Sequence, residues 1–300
     1  MLKVGRGFFL EFFMSPISLD QEQQIRQVLR DCGQQAERMA DKDFDVFEKG
    51  PEDYVTNIDA SLDHQLGHAF SILFPEDGVI SEENVQSRSR FQAAYPRLWC
   101  IDPLDGTEDF IHRKRDYAVM VGLLQDYEPI AGWIYAPAYD RVYYGGQSWG
   151  VFQAIADQPG QPVALAAPDS FVNRCPIVIG TRDYARYGAA IAQQIPDAHF
   201  YSLGSFGLKV MEVVLGRAAL YLYFNGRVKL WDTTGPLALA RAAGLICCDL
   251  QGQQIDFSPS ALYTETLTHK QPIVIGWPHY MTTFLPKLQQ AVQQVQQEVV

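Results

Sequence analysis

The chain has 300 residues, 47% of them hydrophobic and 20% charged, and Lys+Arg 24 against Asp+Glu 35 leave a net charge of -11. That is enough chain for a large core in one or two domains. Such an acidic balance argues against polymeric nucleic acid and anionic membrane as partners, since both call for a basic face, while a small phosphate ester stays open where bound cations reverse the local field.

The opening MLKVGRGFFLEFFM is apolar but short, broken by Glu11, and followed by no small-residue cleavage site. It reads as an N-terminal extension over residues 1–14, not as a signal peptide. No later stretch reaches the roughly 20 apolar residues of a membrane span. Ile25, Val28, Leu29, Cys32 and Ala36 recur at helical spacing, which predicts a helix over about 18–42. A second helix is predicted from about Ser61, with Leu62, Leu66, Ala69 and Phe70 inside and Pro75 just past its end. GVISEE and RLWCIDPLDG predict strands, the second ending where Pro103 removes a backbone donor. YAVMVGLLQD, EPIAGWIYAPAYD and RVYYGGQSWGVFQA then read as successive antiparallel strands.

A Pro-rich stretch, DQPGQPVALAAPDS, marks a join. Beyond it PIVIG, HFYSLGS, AALYLYF and PIVIGWP read as strands, and ARYGAAIAQQI, FGLKVMEVVLGR, TTGPLALARAAG and the glutamine-rich end as helices. Helices on an antiparallel sheet (1–155) thus precede an α/β layered half (156–300). Cys32, Cys100, Cys175, Cys247 and Cys248 show neither zinc spacing nor a disulfide framework. They read as reduced, mostly buried thiols of a cytoplasmic protein.

Asp102, Asp105 and Asp109 crowd together in WCIDPLDGTEDF. Like charges a few ångströms apart cost free energy unless a cation or proton lies between them. Pro103 biases Asp102 toward extended backbone and Gly106 permits a tight turn. The strand end can therefore present Asp102, the Leu104 carbonyl and Asp105 on one side, an oxygen donor set of the kind Mg²⁺ prefers. Each acidic segment also has an ordinary reading. Asp-Gly marks turns, Glu82 and Glu83 in ISEEN end a strand, and Asp59 in DYVTNID and Asp232 in KLWDTTG stand at cap-like positions before helices.

Their joint order is more specific. With DYVTNID, SEEN, DPLDGTEDF, SLGSFGLK and WDTTGPLALARAAG in succession from about residue 53 to 244, the chain resembles the inositol monophosphatase family of metal-dependent, lithium-sensitive phosphatases, which includes 3′(2′),5′-bisphosphate nucleotidases and some fructose-bisphosphatases. The resemblance implies the layered αβαβα sugar-phosphatase fold and two or three Mg²⁺ ions. It implies Glu82, Asp102 and the Leu104 carbonyl as ligands of one ion and Asp102, Asp105 and Asp232 as ligands of a second. Glu83 would place a weaker third ion through water, and Thr107 with Asp59 would orient the attacking water. The backbone at Gly106 and Thr107, and at Ser205 and Phe206, would cradle the phosphate.

The chain departs from the family pattern where inositol-selective relatives carry an acid several positions before WD: Asn225 stands there, with Arg227 and Lys229 following. These two cations can receive a second phosphate or simply be solvated. Ser81 replaces the usual glycine before the paired glutamates. His64 and His68 read as helix surface, and the basic loop His112–Arg115 as solvated or as attracting an anionic substrate. The aromatics of YLYFN read as core.

The expected function is Mg²⁺-dependent hydrolysis of a small phosphorylated polyol or sugar such as inositol monophosphate, by in-line attack of metal-activated water. The alternative substrate is 3′-phosphoadenosine 5′-phosphate. An alternative of another class is a non-catalytic metal- or phosphate-binding regulator. The family further implies a homodimer acting on a small-molecule phosphate ester.

Overall fold

The computed structural model describes residues 16–40, 42, 44–50, 53–93, 95–167 and 174–298. The N-terminal extension and part of the Pro-rich join lie outside the described residues. Among those described, no helix is long and apolar enough to cross a membrane, and all five cysteines are buried and unbridged.

Helix α1 (Leu19–Ala40) buries Ile25, Leu29, Cys32 and Ala36, the stripe set by its apolar spacing. A hairpin of β1 (Val46–Gly50) and β2 (Asp53–Thr56) leads into α2 (Asn57–Leu73). That helix starts at Asn57, ahead of the expected Ser61, because Thr56 caps it: the Thr56 hydroxyl accepts from the N–H groups of Ile58 and Asp59 at 3.1 and 3.3 Å.

The first sheet has seven strands in chain order: β3 (Gly78–Ser81), β4 (Leu98–Asp105), β5 (Ala118–Gln125), β6 (Glu128–Ala136), β7 (Arg141–Gly146), β8 (Gly150–Ile155) and β9 (Gln161–Pro162). A 3₁₀ turn over Val85–Gln92 carries the chain back, so β3 pairs with β4 in parallel. The remaining pairs are antiparallel. Strand β4 does not stop at Pro103. Its register against β5 shifts between Asp102 and Asp105, so the proline sits in an irregularity that bends the strand end. Successive residues of β4 face opposite sides: Trp99 and Ile101 join the core with α1 and α2, while Leu98 and Cys100 join the core of the second half.

The second sheet runs β11-β10-β12-β16-β13, from β10 (Cys175–Ile179), β11 (Ala198–Tyr201), β12 (Leu220–Tyr223), β13 (Ile246–Cys248) and β16 (Ile273–Gly276). Strands β10, β11 and β12 are parallel, and β16 is antiparallel to β12 and β13. A small hairpin, β14 (Leu262–Tyr263) with β15 (Thr268–His269), stands apart. Strand β13 has three residues and each strand of this hairpin two, too short for an apolar pattern to announce them. Helices α5 (Phe206–Val214) and α6 (Leu230–Ala242) lie between the two sheets, and α4 (Thr181–Gln194) packs with α7 (Pro278–Glu298) on the far side. With the short α3 (Thr107–Ile111) after β4, the layers are helix, sheet, helix, sheet, helix.

The expected division at 155/156 falls just past β8, yet the sheet continues to β9 and one apolar core joins both halves. The contact between halves is close. Gly122 on β5 and Gly132 on β6 are paired neighbours. A Cβ on Gly122 would come within 2.3 Å of the Gly235 nitrogen, and one on Gly132 within 2.2 Å of the Gly235 carbonyl oxygen. Backbone therefore lies on backbone, and α6 is held at a fixed height above the first sheet.

Candidate active site

Four acids from three segments meet in one cavity of about 290 Å³: Glu82 just past β3, Asp102 and Asp105 at the end of β4, and Asp232 in the first turn of α6. One oxygen each from Glu82, Asp102 and Asp232 lies within 4.8 Å of the other two. Leu104, Gly106 and Thr107 line the same space.

Local bonds orient each carboxylate. Asp102 Oδ1 accepts from the Leu104 N–H at 3.0 Å, a bond that the bend around Pro103 makes possible. Asp105 Oδ2 accepts from the Ser205 hydroxyl and from the Gly207 N–H, the latter at 2.9 Å, so the start of α5 grips it. Asp232 Oδ2 accepts from the Lys229 N–H at 2.6 Å. Gly106 has φ +90°, and a Cβ there would meet the Ser205 nitrogen at 2.9 Å and the Asp116 carbonyl at 3.0 Å. Only glycine fits this turn without strain.

Asp59 and Thr107 are brought together as expected. The Thr107 hydroxyl lies 3.1 Å from Asp59 Oδ1 and 2.9 Å from the Leu104 carbonyl, and its single proton serves one acceptor at a time. Asp59 Oδ2 accepts from the Thr56 N–H at 2.8 Å. Asp59 and Asp232 thus differ from the cap reading: each sits at the third helical position and bonds back to the capping residue.

Burial raises Asp102 well above the usual carboxylate range, with Glu82, Asp105 and Asp232 adding to the effect. Burial, then Glu82, lifts Asp232 to about 7. Asp105 is raised by burial and held back by the bonds from Ser205, Gly207 and Phe206. Asp59 is raised by burial against the bonds from Thr56 and Thr107. The folded state therefore holds protons that the unfolded chain releases at about pH 4. Between that value and about pH 7 these acids hold more protons in the folded state, so their contribution to stability falls as pH rises, while His269, held neutral by burial, works the other way below about pH 6.5. We expect chelator-treated protein to melt several degrees lower at pH 8 than at pH 6, and added Mg²⁺ to narrow the gap. Scanning calorimetry at the two pH values checks this, and an equal or higher melting temperature at pH 8 without metal contradicts it.

Other expected site residues are placed differently. Glu83 follows Glu82 directly and turns away, lining a second hollow beside His64, His68 and Asn84. The Ser205 N–H is taken by the Asp116 carbonyl at 2.8 Å, and Phe206 bonds Asp105 through its backbone. These two residues hold a carboxylate where a phosphate cradle was expected, although Phe206 also lines the cavity. Asn225 closes a local turn, its Oδ1 accepting from the Arg227 N–H at 3.2 Å, and lies outside the lining. In the basic loop, Lys114 pairs with Asp109 at 2.7 Å and Arg115 stacks over Tyr139, so these two charges meet the protein's own groups.

The cavity also holds three residues that sequence reasoning passed over, Tyr54, Arg182 and Lys209; Tyr221 and Tyr223, read as core, line it too, as do Arg227 and Lys229. Lys209 is 9% exposed, and its Nζ donates to the Gly204 carbonyl at 3.1 Å. Burial lowers its pKa, against the pull of Asp105, Asp109, Asp183 and Asp232. A lysine among the apolar residues of FGLKVMEVV, where Glu212 is the one other charge, was the available signal.

Carboxylates and one carbonyl converging in a buried hollow, with protonation favoured by burial and then by mutual repulsion, fit a hard divalent cation. The sequence model of the inositol monophosphatase family matches residues 20–293. The chain belongs to the inositol monophosphatase family. Like the family's other members it is a metal-dependent phosphatase. The 3′(2′),5′-bisphosphate nucleotidase CysQ of Escherichia coli K12 is 31% identical over 242 residues, covering 79% of this chain and 93% of that relative. Among solved structures, the inositol monophosphatase of Thermotoga maritima superposes with TM-score 0.75 at 20% identity, covering 92% of this chain and 100% of that one. An IMPase/NADP phosphatase complexed with Mg²⁺ and phosphate gives TM-score 0.70 at 18% identity, covering 89% and 94%.

Proposed function

We propose that this family member hydrolyses a small phosphomonoester that carries a second anionic group, with a nucleoside 3′,5′-bisphosphate favoured over a polyol monophosphate. The observation that carries this reading is that the cavity carries charge of both signs. Carboxylates line it at Glu82, Asp102, Asp105 and Asp232, and the same cavity is lined by the cations Arg182, Lys209, Arg227 and Lys229. A polyol monoester has one phosphate to place at the acids, whereas a bisphosphate brings a second anion that the lining cations can also meet. The 31% identity to CysQ and the loss of an acid at Asn225 support the same choice.

Glu82, Asp102, the Leu104 carbonyl, Asp105 and Asp232 would hold Mg²⁺, as two or more ions. When bound, the metal neutralises the phosphoryl oxygens and acidifies a water. The chain's own residues do the rest. The Thr107 hydroxyl, donating to Asp59 Oδ1, accepts from a water and so fixes which lone pair that water presents. Asp59 keeps the hydroxyl aimed because the Thr56 N–H already holds its other oxygen. The turn at Gly106 and Thr107 brings backbone close enough to meet a phosphate. Lys209, pinned to the Gly204 carbonyl, presents a fixed positive charge inside a low-dielectric wall.

A phosphate-release panel tests the reading: adenosine 3′,5′-bisphosphate, inositol 1-phosphate, histidinol phosphate and fructose 1,6-bisphosphate, with and without lithium. We expect the nucleoside bisphosphate to show the highest kcat/KM, lithium to inhibit, and Arg182→Ala with Arg227→Ala to erase the preference by raising KM. Preference for inositol 1-phosphate in the unaltered protein would return the assignment to the polyol esters. The homodimer and the cytoplasmic location belong to the same proposal. The buried, unbridged thiols support a reducing compartment, and sedimentation at micromolar concentration tests the dimer.

A further inference from the structure

We propose that Lys229 is a built-in cation of the acid cluster: it supplies at Glu82 part of the positive charge that divalent ions would otherwise bring, and so sets how tightly those ions are held. The inference rests on the metal-dependent reading above. Lys229 touches two of the four acids through different atoms. Its Nζ lies 3.5 Å from Glu82 Oε1, and its backbone N–H is the donor that fixes Asp232. The main chain at Lys229 is itself tied down. Its carbonyl accepts from the Thr233 hydroxyl at 3.2 Å, and the residue bridges to Thr268. The ammonium sits 5.4 Å from the centre of the Trp231 ring. The Lys229 and Glu82 side chains are 24% and 17% exposed, so solvent screens their attraction only in part.

A lysine anchored in this way can swing its side chain but cannot withdraw from the cavity. An ammonium beside Glu82 has two effects. Before metal arrives, it relieves the repulsion among the acids. When a divalent ion approaches Glu82, the ammonium opposes it, because two cations competing for one carboxylate repel each other. Lysine suits this role better than arginine would: its compact charge sits on a flexible stem and can be pushed aside without breaking a two-pronged bond. The same charge could instead serve the substrate's phosphate, and the two roles give different readouts.

Lys229→Met keeps the length of the side chain and its packing on Trp231 while removing the charge. Lys229→Arg keeps the charge, and Lys229→Gln repeats the neutralisation with a different side chain. The measurement is the Mg²⁺ concentration that gives half the maximal rise in melting temperature, on the full chain without substrate. We expect it to fall about tenfold in K229M and K229Q and to stay near the unaltered value in K229R. We also expect the metal-free melting temperature of K229M to drop. A half-point in K229M that is unchanged or raised overturns the inference. So does a variant whose sole change is a higher KM, which would place Lys229 on the substrate. An unaltered chain whose melting ignores Mg²⁺ overturns the metal reading and this inference with it. Asp102→Asn, which must lose the Mg²⁺ response whatever Lys229 does, keeps the two failures apart.

Discussion

Asp102→Asn is expected to cut Mg²⁺-dependent phosphate release by about a thousandfold or more, without lowering the metal-free melting temperature. Asparagine matches aspartate in size, and its amide oxygen can still accept from the Leu104 N–H, which aspartate meets at 3.0 Å. What it removes is a negative charge that burial, Glu82, Asp105 and Asp232 all oppose. Without metal, the variant therefore loses a repulsion and should melt at the same temperature or higher. With metal, it loses an anionic donor shared by the whole cluster. A substitution that damages folding would lower both quantities, so activity and melting moving apart is the signature to look for. Retained Mg²⁺-dependent turnover in a folded Asp102→Asn protein would show that the acids are not the seat of the chemistry.

The second large effect is structural. Gly132→Ala should destabilise the protein by about 3 kcal/mol, since overpacking a tight contact has costs of this order. The new Cβ would lie 2.2 Å from the Gly235 carbonyl oxygen, and backbone on both sides leaves nothing flexible to yield. The helix must rise from the sheet, and Asp232, one turn before Gly235, must move with it. We expect a lowered denaturation midpoint together with weaker Mg²⁺ stabilisation. Gly67→Ala in α2 is the control, because a Cβ there meets nothing within 4 Å. Alanine at that helical position should be neutral or stabilise by up to about 1 kcal/mol. Equal stability of the two variants would mean that α6 rests on the first sheet less closely than its backbone contacts imply.

Much of the site was legible because its acids sit where short-range chemistry marks them. Asp102 and Asp105 flank a proline and precede a glycine with positive φ, and Asp232 opens a helix after a tryptophan. These are local signals, and the structure joins them in one cavity. The pair Glu82–Glu83 was harder. Adjacent residues leaving a strand point to opposite sides, so only one of the two can face the acids, and nothing in SEEN shows which until β3 is paired with β4. Ser205 and Phe206 were recognised, but their partner was misjudged: a helix start attracts any anion, and the nearest here is the protein's own Asp105. Arg182 was not singled out and Tyr223 was read as core, because both reach the cavity from the second half of the chain, far in sequence from the acids of β4. In the fold, apolar spacing revealed α1 and the central strands. The start of α2 was missed by several residues because Thr56 and Asp59 define it through hydrogen bonds and not through hydrophobicity.

Asp59 and Asp232 share one arrangement with a wider implication. In each, one carboxylate oxygen completes the opening turn of a helix; the other oxygen of Asp59 accepts from the Thr107 hydroxyl, and Asp232 lines the acid-ringed cavity. Losing the side chain at either place removes a turn-closing bond, a loss of roughly 1 kcal/mol. A descendant that abandoned hydrolysis would still be under pressure to keep both acids so that α2 and α6 begin properly. Their persistence in a lineage is therefore weak testimony of retained activity.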